Sequence, residues 1–103
     1  MPNILIKRPS SSYKIEFFSS KVYSDLENEI GYRLLNIAIG RGFYLLVQSN
    51  NSLIDTINVS HDNNAYFGTV YVIKATMNKI TDIFPEDIPY ITDVVESIDD
   101  SIF

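Results

Sequence analysis

The chain of 103 residues is long enough for one folded domain, and its 46% hydrophobic and 20% charged content is typical of a globular protein. Thirteen acidic and eight basic residues give a net charge of −5, which argues against a general nucleic-acid-binding protein because phosphate contacts need clustered lysine and arginine. The absence of cysteine excludes disulfides, thiolate catalysis and cysteine-based zinc sites.

The first part of the sequence predicts two strands followed by a helix. An apolar run predicts a strand over 3–7, and the alternation of apolar and charged residues from Tyr13 to Phe17 predicts a half-buried strand over 13–18. Apolar residues then recur at helical spacing, so we expect a helix over 20–30. Gly31 is placed to end this helix in the left-handed conformation.

The central part of the sequence predicts four further strands. We expect them over 33–39, 43–48, 53–59 and 67–75. The first two should form a hairpin at Gly40-Arg41-Gly42, because glycine adopts positive φ without strain. A polar loop is expected over 60–64. The strand after it is apolar on both sides, which indicates a central strand covered on both faces.

The C-terminal part of the sequence predicts a second helix. Ile91, Val94, Val95, Ile98 and Ile102 follow one another at spacings of 3, 1, 3 and 4. A central strand covered on both faces needs this helix on the face that the first helix leaves open. The order β-β-α-β-β-β-β-α predicts an α+β fold with a mostly antiparallel sheet of about five to six strands and two helices in a single domain.

Few residues are suited to catalysis or to metal binding. His61 is the only histidine, and its place in the polar loop favours a solvated surface residue. It lacks companion ligands for zinc, and the acidic C-terminal residues contain no calcium-binding loop. Gly40-Arg41-Gly42 lacks the third glycine of a dinucleotide-binding loop. We therefore expect no enzymatic activity, metal or cofactor, although a carboxylate pair in a cleft would reopen the question.

Charge is distributed unevenly along the sequence. Residues 82–103 contain seven acidic residues and no basic residue, whereas residues 1–21 have a net charge of +3. On the predicted helix some of these carboxylates would form one ridge, and a negative surface of this kind suits docking on a basic partner. The candidate partner-binding residues are Asp93, Glu96, Asp99 and Asp100, followed by Glu86 and Asp87.

Four stretches together resemble a known group of proteins. They are Glu29-Ile30-Gly31-Tyr32, the hairpin over 38–47, residues 64–73 with Phe67-Gly68-Thr69-Val70-Tyr71-Val72-Ile73, and Phe84-Pro85-Glu86-Asp87-Ile88. In order and spacing this arrangement resembles a family of small phage- and plasmid-borne α+β proteins of unknown function. The resemblance implies a mobile-element setting, where small acidic proteins often inhibit or shield other proteins.

These observations predict a small acidic protein-binding inhibitor, of the anti-defence or toxin-immunity type, that occludes a basic surface of its partner. The alternative is a protein that sequesters a small ligand or a nucleotide, with cationic donors for phosphate supplied by Arg33, Arg41, Lys74 and Lys79. We expect no direct binding to nucleic acid or membrane and a cytosolic location, because no stretch has the length of a signal peptide or membrane helix. Pairing of exposed sheet edges would give a homodimer.

Overall fold

The computed structural model describes residues 2–17, 23–31, 33–48, 57–77 and 79–97, which form an α+β fold as predicted. In chain order the elements are β1 (Asn3–Lys7), β2 (Lys14–Phe17), α1 (Tyr23–Ile30), β3 (Leu34–Gly40), β4 (Phe43–Gln48), β5 (Ile57–His61), β6 (Asn64–Phe67), β7 (Val70–Thr76), β8 (Lys79–Thr81), a 3-10 turn (Pro85–Asp87), α2 (Ile88–Val94) and β9 (Glu96–Ser97). The order of the main strands and of the two helices agrees with the prediction.

The described strands form two antiparallel sheets. The main sheet has the order β2-β1-β7-β4-β3, and β8 pairs with β7 beyond the end of β1. A smaller sheet has the order β6-β5-β9. The strand predicted to be central, β7, lies between β1 and β4 in the main sheet.

Each face of the main sheet has its own hydrophobic core. On one face, here called the α2 face, strand residues such as Leu5, Leu45 and Val72 pack with Ile91 of α2 and with Val95. On the opposite face, here called the α1 face, Leu26 of α1 packs against Ile4, Ile6, Leu34, Leu46, Ile73 and Ile80. Alternate residues of a strand point to opposite faces, so each strand contributes to both cores. The prediction that a second helix covers the open face is confirmed.

Glycines end α1 and close the first hairpin as predicted. Gly31 has a φ of 93°, and its N–H donates to the carbonyl oxygen of Glu27 at 2.8 Å. Between β3 and β4, Arg41 and Gly42 form a two-residue turn in which both residues have positive φ, at 56° and 81°. The pairing register shifts between Ala38 and Gly40, which marks a bulge at the end of β3. Residues 20–22 of the predicted helix lie outside the described residues.

The region after β4 contains a hairpin that the sequence did not predict. The segment read as a polar loop over 60–64 instead contains the end of β5, a turn at Asp62 and Asn63, and the start of β6. Both turn residues have positive φ, at 51° and 66°, a conformation that aspartate and asparagine tolerate. A polar stretch suited to a loop therefore closes a tight hairpin. Residues 53–56 of the predicted strand lie outside the described residues.

The C-terminal helix is shorter than predicted, so the predicted acidic ridge along it is wrong. The helix ends at Val94, and Val95 is extended with φ −117° and ψ 101°. Glu96 lies opposite Ser60 in the small sheet and therefore does not share a helix face with Asp93. Val95 is buried and β-branched, which suits extended backbone. The residues that follow it pair with β5, so the helix does not continue. The other residues of the predicted ridge and helix, Ile98, Asp99, Asp100 and Ile102, lie outside the described residues.

Candidate functional site

The structure places most of the predicted partner-binding residues on one segment, residues 82–97, here called the acidic segment. It contains five carboxylates and no lysine or arginine. Its apolar residues Ile83, Ile91 and Val95 are fully buried in the core on the α2 face. Complete burial of an isoleucine or valine side chain stabilises a fold by about 1.5–3 kcal/mol, so the backbone that carries the carboxylates is firmly held.

Side chains from two distant segments bind carbonyl groups at the C-terminal end of α2. The hydroxyl group of Tyr13 donates to the carbonyl oxygen of Val95 at 3.1 Å, and Nδ1 of His61 lies 2.8 Å from the carbonyl oxygen of Val94. The last carbonyls of a helix have no partner within the helix, and these two side chains supply one at its C-terminal end. His61 is thus half-buried at the end of β5, which corrects its prediction as a solvated loop residue.

Two carboxylates of the acidic segment are used inside the molecule. Oδ1 of Asp82 accepts a hydrogen bond from the backbone N–H of Asn3 at 2.9 Å. Oδ2 of Asp87, which was a candidate for partner binding, accepts from the backbone N–H of Phe84 at 2.9 Å and so stabilises the 3-10 turn. These two carboxylates therefore stabilise the fold through hydrogen bonds with backbone N–H groups.

The other three carboxylates of the acidic segment, on Glu86, Asp93 and Glu96, face solvent. All three residues are exposed, and among the described residues none of them has a lysine or arginine nitrogen within 4.0 Å. The ion pair found within the described ranges joins Arg8, which follows β1, and Glu16 of β2, at 3.7 Å. The chain's own described cations therefore leave this negative charge unneutralised.

Glu96 also borders a polar depression of about 220 Å³ at the end of the small sheet. The depression is lined by Ser60, His61, Asp62, Asn63, Val94 and Glu96. No group of three or more histidine, aspartate or glutamate side chains in the described part of the chain could hold a metal ion. The depression therefore adds polar surface beside the acidic segment.

The residues proposed for the ligand-binding alternative are only partly brought together. The guanidinium carbon of Arg41 lies 4.2 Å from the centre of the Tyr90 ring, and Nζ of Lys74 lies 5.6 Å from the centre of the Phe43 ring. The two rings are neighbours, with 5.9 Å between their centres. Cations at these distances from aromatic faces are held by about 0.5–1 kcal/mol each at exposed sites.

Lys79 joins Arg41 and Lys74 in a group of three cations on the α2 face, here called the cationic corner, whereas Arg33 lies elsewhere. Lys79 is opposite Thr76 in the pairing of β7 with β8, and Thr76 points to the same face as Lys74 because it is two residues further along the strand. Arg33 precedes β3, at the end of that strand opposite to Arg41. Seven strand residues separate these two arginines, a distance of roughly 20 Å or more. The four residues do not converge on one ligand.

The residues that position the acidic segment could not be recognised from sequence. Tyr13, His61 and Tyr90 bind backbone carbonyls 82, 33 and 51 positions away in the chain. A tyrosine or histidine that serves a distant carbonyl has no local pattern of neighbours. Only the folded arrangement of the sheet identifies them.

No family model matches the sequence, no curated protein matches it significantly, and no solved structure matches the fold significantly. The resemblance to small phage- and plasmid-borne proteins stays a prediction. None of the described helices has the length and apolar character needed to cross a membrane.

Proposed function

We propose that this protein is a protein-binding inhibitor that docks its acidic segment on a basic surface of another protein. The observation that carries the proposal is the set of three exposed carboxylates, on Glu86, Asp93 and Glu96, that the described lysines and arginines leave unpaired. An unneutralised negative surface attracts a positive partner over a distance and accelerates association.

The firm anchoring of the acidic segment supports a binding role. Binding loses affinity when backbone and side chains must become ordered at the interface. Here Ile91 and Val95 are buried on either side of Asp93 and next to Glu96, so the backbone at both carboxylates is already fixed. Only the rotamers of the acidic side chains remain to be ordered on docking.

The mechanism is steric occlusion of a surface that handles nucleic acid. Such surfaces bind phosphate groups through clustered lysine and arginine, and a carboxylate offers the same cations a charged acceptor. A docked acidic segment would occupy the positions of several phosphates and exclude the nucleic acid. The net charge of −5 and the resemblance to mobile-element proteins make an anti-defence or toxin-immunity role the finer part of the proposal.

A second candidate function rests on the cationic corner. Arg41 and Lys74 lie over neighbouring aromatic rings, and Lys79 extends from the same face, an arrangement with both cationic and stacking groups for a nucleotide. We rank it second because two of its cations already pack on aromatic rings. Thermal melting with individual nucleotides tests it, since a ligand that binds only the folded protein raises the melting temperature.

Charge reversal on the acidic segment tests the leading proposal. Tagged full-length protein is used to capture the partner from cell extract, with Asp93→Lys and Glu96→Lys compared singly and together. Asp25→Lys is the matched control, because Asp25 is exposed and lies on α1 over the opposite face of the sheet. We expect each single change on the acidic segment to weaken capture, the double change to abolish it, and the control to retain it.

Competition by nucleic acid tests the occlusion mechanism. Excess double-stranded DNA should reduce capture by the wild-type protein, because DNA and the acidic segment compete for the same cations. Undiminished capture by the double variant would reject the acidic segment as the contact. Undiminished capture in excess DNA would reject the occlusion of a nucleic-acid surface.

A further inference from the structure

From Leu35 onwards, the edge strand β3 lacks the features that usually protect a sheet edge. Its pairing partner among the described strands is β4, on one side only. From Leu35 to Gly40 it contains no charged residue and no proline, and the side chain of Leu35 is 51% exposed. Natural edge strands are usually short, charged, interrupted by proline or covered, because a bare edge pairs with other strands.

The opposite edge of the same sheet is protected in the usual way. Strand β2 has four residues, two of which, Lys14 and Glu16, are charged. Glu16 also forms an ion pair with Arg8. The unprotected edge is therefore specific to β3 and is not a general property of this sheet.

The open part of the β3 edge is short and well defined. At its C-terminal end the pairing register is irregular between Ala38 and Gly40, and the carbonyl oxygen of Ile39 accepts a hydrogen bond from the hydroxyl group of Tyr90 at 2.6 Å. Among the described residues, the regular, uncovered stretch runs from Leu35 to Ala38, because the N–H of Leu34 already donates to Oε2 of Glu27 at 2.7 Å. Any added strand must pair mainly with these residues.

We propose that β3 pairs with β3 of a second copy of this chain, antiparallel, about a two-fold axis at Asn36. Two-fold pairing is the commonest basis of homo-oligomers, and it requires a strand that is complementary to itself. An uncharged strand meets this requirement, because residues 35–38 bring no carboxylate of their own to the contact between two chains of net charge −5.

Charge favours the register centred on Asn36 over the neighbouring register centred on Ile37. Directly opposite residues of an antiparallel pair point to the same face, so the axis must pass through a residue. An axis at Ile37 would bring Arg33 near Arg41, at the turn of the second copy, which is unfavourable. An axis at Asn36 shifts the pairing by two residues and moves the two arginines further apart.

The Asn36 register also buries the exposed apolar surface of the edge. Leu35 and Ile37 point to the α2 face. Leu35 of each copy lies opposite Ile37 of the other copy, so two apolar pairs form. Asn36 points to the α1 face, where its amide meets the same amide across the axis and can both donate and accept a hydrogen bond. The dimer would carry two acidic segments and could therefore bind a repeated basic partner with avidity.

Disulfide trapping tests the register, because the natural chain contains no cysteine. Opposed residues of an antiparallel pair have Cα atoms about 4.5–5.5 Å apart, within the range of a disulfide, so Asn36→Cys should form a covalent dimer on mild oxidation. Ala38→Cys is the matched control, since Ala38 is exposed on the same face of the same strand. Its Cα would lie about 13 Å from its counterpart, too far for a bond.

Sedimentation velocity tests the dimer independently. We expect the wild-type protein to sediment as a dimer that dissociates on dilution, and Asn36→Asp to sediment as a monomer because two carboxylates would meet at the axis. Asn64→Asp makes the same change at an exposed site on the small sheet and should leave the dimer intact. A monomeric wild-type protein, a dimeric Asn36→Asp variant, or equal cross-linking of the two cysteine variants would overturn the proposal.

Discussion

The hydroxyl group of Tyr90 on α2 donates a hydrogen bond to the carbonyl oxygen of Ile39 at the end of β3, at 2.6 Å. The same ring is covered by the guanidinium group of Arg41 and lies beside Phe43. Tyr90 thus fixes the acidic segment against the end of the first hairpin. It also limits the open part of the β3 edge, so both proposed interaction surfaces depend on its position.

Removal of this hydroxyl group should weaken the fold without unfolding it. Tyr90→Phe keeps the ring between Arg41 and Phe43 but leaves the carbonyl of Ile39 without its donor, and we expect a loss of about 0.5–1.5 kcal/mol in the free energy of unfolding. Urea denaturation measures the difference. Thr92→Ala, at an exposed position on the same helix, should change the value by less than about 0.5 kcal/mol. Equal effects of the two substitutions would show that this hydrogen bond does not make the predicted contribution to the free energy of unfolding.

Alanine substitutions at two glycines with similar backbone angles distinguish backbone strain from a steric clash. Gly31 and Gly40 have φ values of 93° and 95°, so alanine is strained at either position by about 1–2 kcal/mol. A Cβ at Gly31 would meet nothing within 4 Å, whereas one at Gly40 would collide with the hydroxyl group of Tyr90. We expect Gly40→Ala to be the more destabilising, as measured by urea denaturation.

A double substitution checks the origin of that difference. In the Tyr90→Phe background the hydroxyl group is absent, so Gly40→Ala should lose much of its excess over Gly31→Ala. Additive effects of Gly40→Ala and Tyr90→Phe would show that the collision is not the cause.

A buried polar junction joins the main sheet to the small sheet. Oδ1 of Asn58 accepts from Nζ of Lys7 at 2.6 Å, and its Nδ2 donates to the carbonyl oxygens of Lys7 and Gly68 at 2.7 and 2.8 Å. Asn58→Ala removes all three hydrogen bonds from a fully buried site, so we expect a loss of about 3 kcal/mol or more. Asn64→Ala, at an exposed site, is the control for denaturation experiments and should be nearly neutral.

The stability of the protein should fall at high pH because of Tyr13. Burial raises the pKa of Tyr13 from 10.0 to about 12, because the phenolate is poorly solvated there. The pKa is higher in the folded than in the unfolded state, so the unfolded chain loses this proton at a lower pH. The contribution of protonated Tyr13 to the free energy of unfolding is therefore complete below pH 10 and is lost as the pH rises towards 12. Tyr13→Phe should reduce this loss in unfolding experiments at increasing pH. An unchanged pH dependence in that variant would contradict the assignment.

Local patterns were sufficient to predict much of the fold. The positive φ values of Gly31, Gly40 and Gly42 follow from the conformational freedom of glycine, whereas the positive φ of Arg41 was not predicted. The apolar run of β7 correctly indicated cover on both faces. The length of α2 was not predictable in this way. Helical spacing continues to Ile102 in the sequence, but pairing of Glu96 with Ser60 and the bond from Tyr13 to Val95 end the helix through distant contacts.

The candidate site was predicted in its charge but not in its geometry. The excess of carboxylates after residue 81 is visible in the sequence. The use of Asp82 and Asp87 by backbone N–H groups is not, because the partner of Asp82 is Asn3, at the other end of the described chain. The hairpin turn at Asp62 and Asn63 was missed because both residues also suit an open loop.

Carbodiimide cross-linking of the captured complex tests the docking surface most directly, because this reagent joins a carboxylate to a lysine only where the two are in contact. Peptide mapping by mass spectrometry should then find the partner's lysines attached to Glu86, Asp93 or Glu96. Asp25 is an exposed carboxylate on α1, over the opposite face of the main sheet, and serves as the internal reference. We expect few or no links at Asp25, and links confined to it would contradict the proposed docking surface.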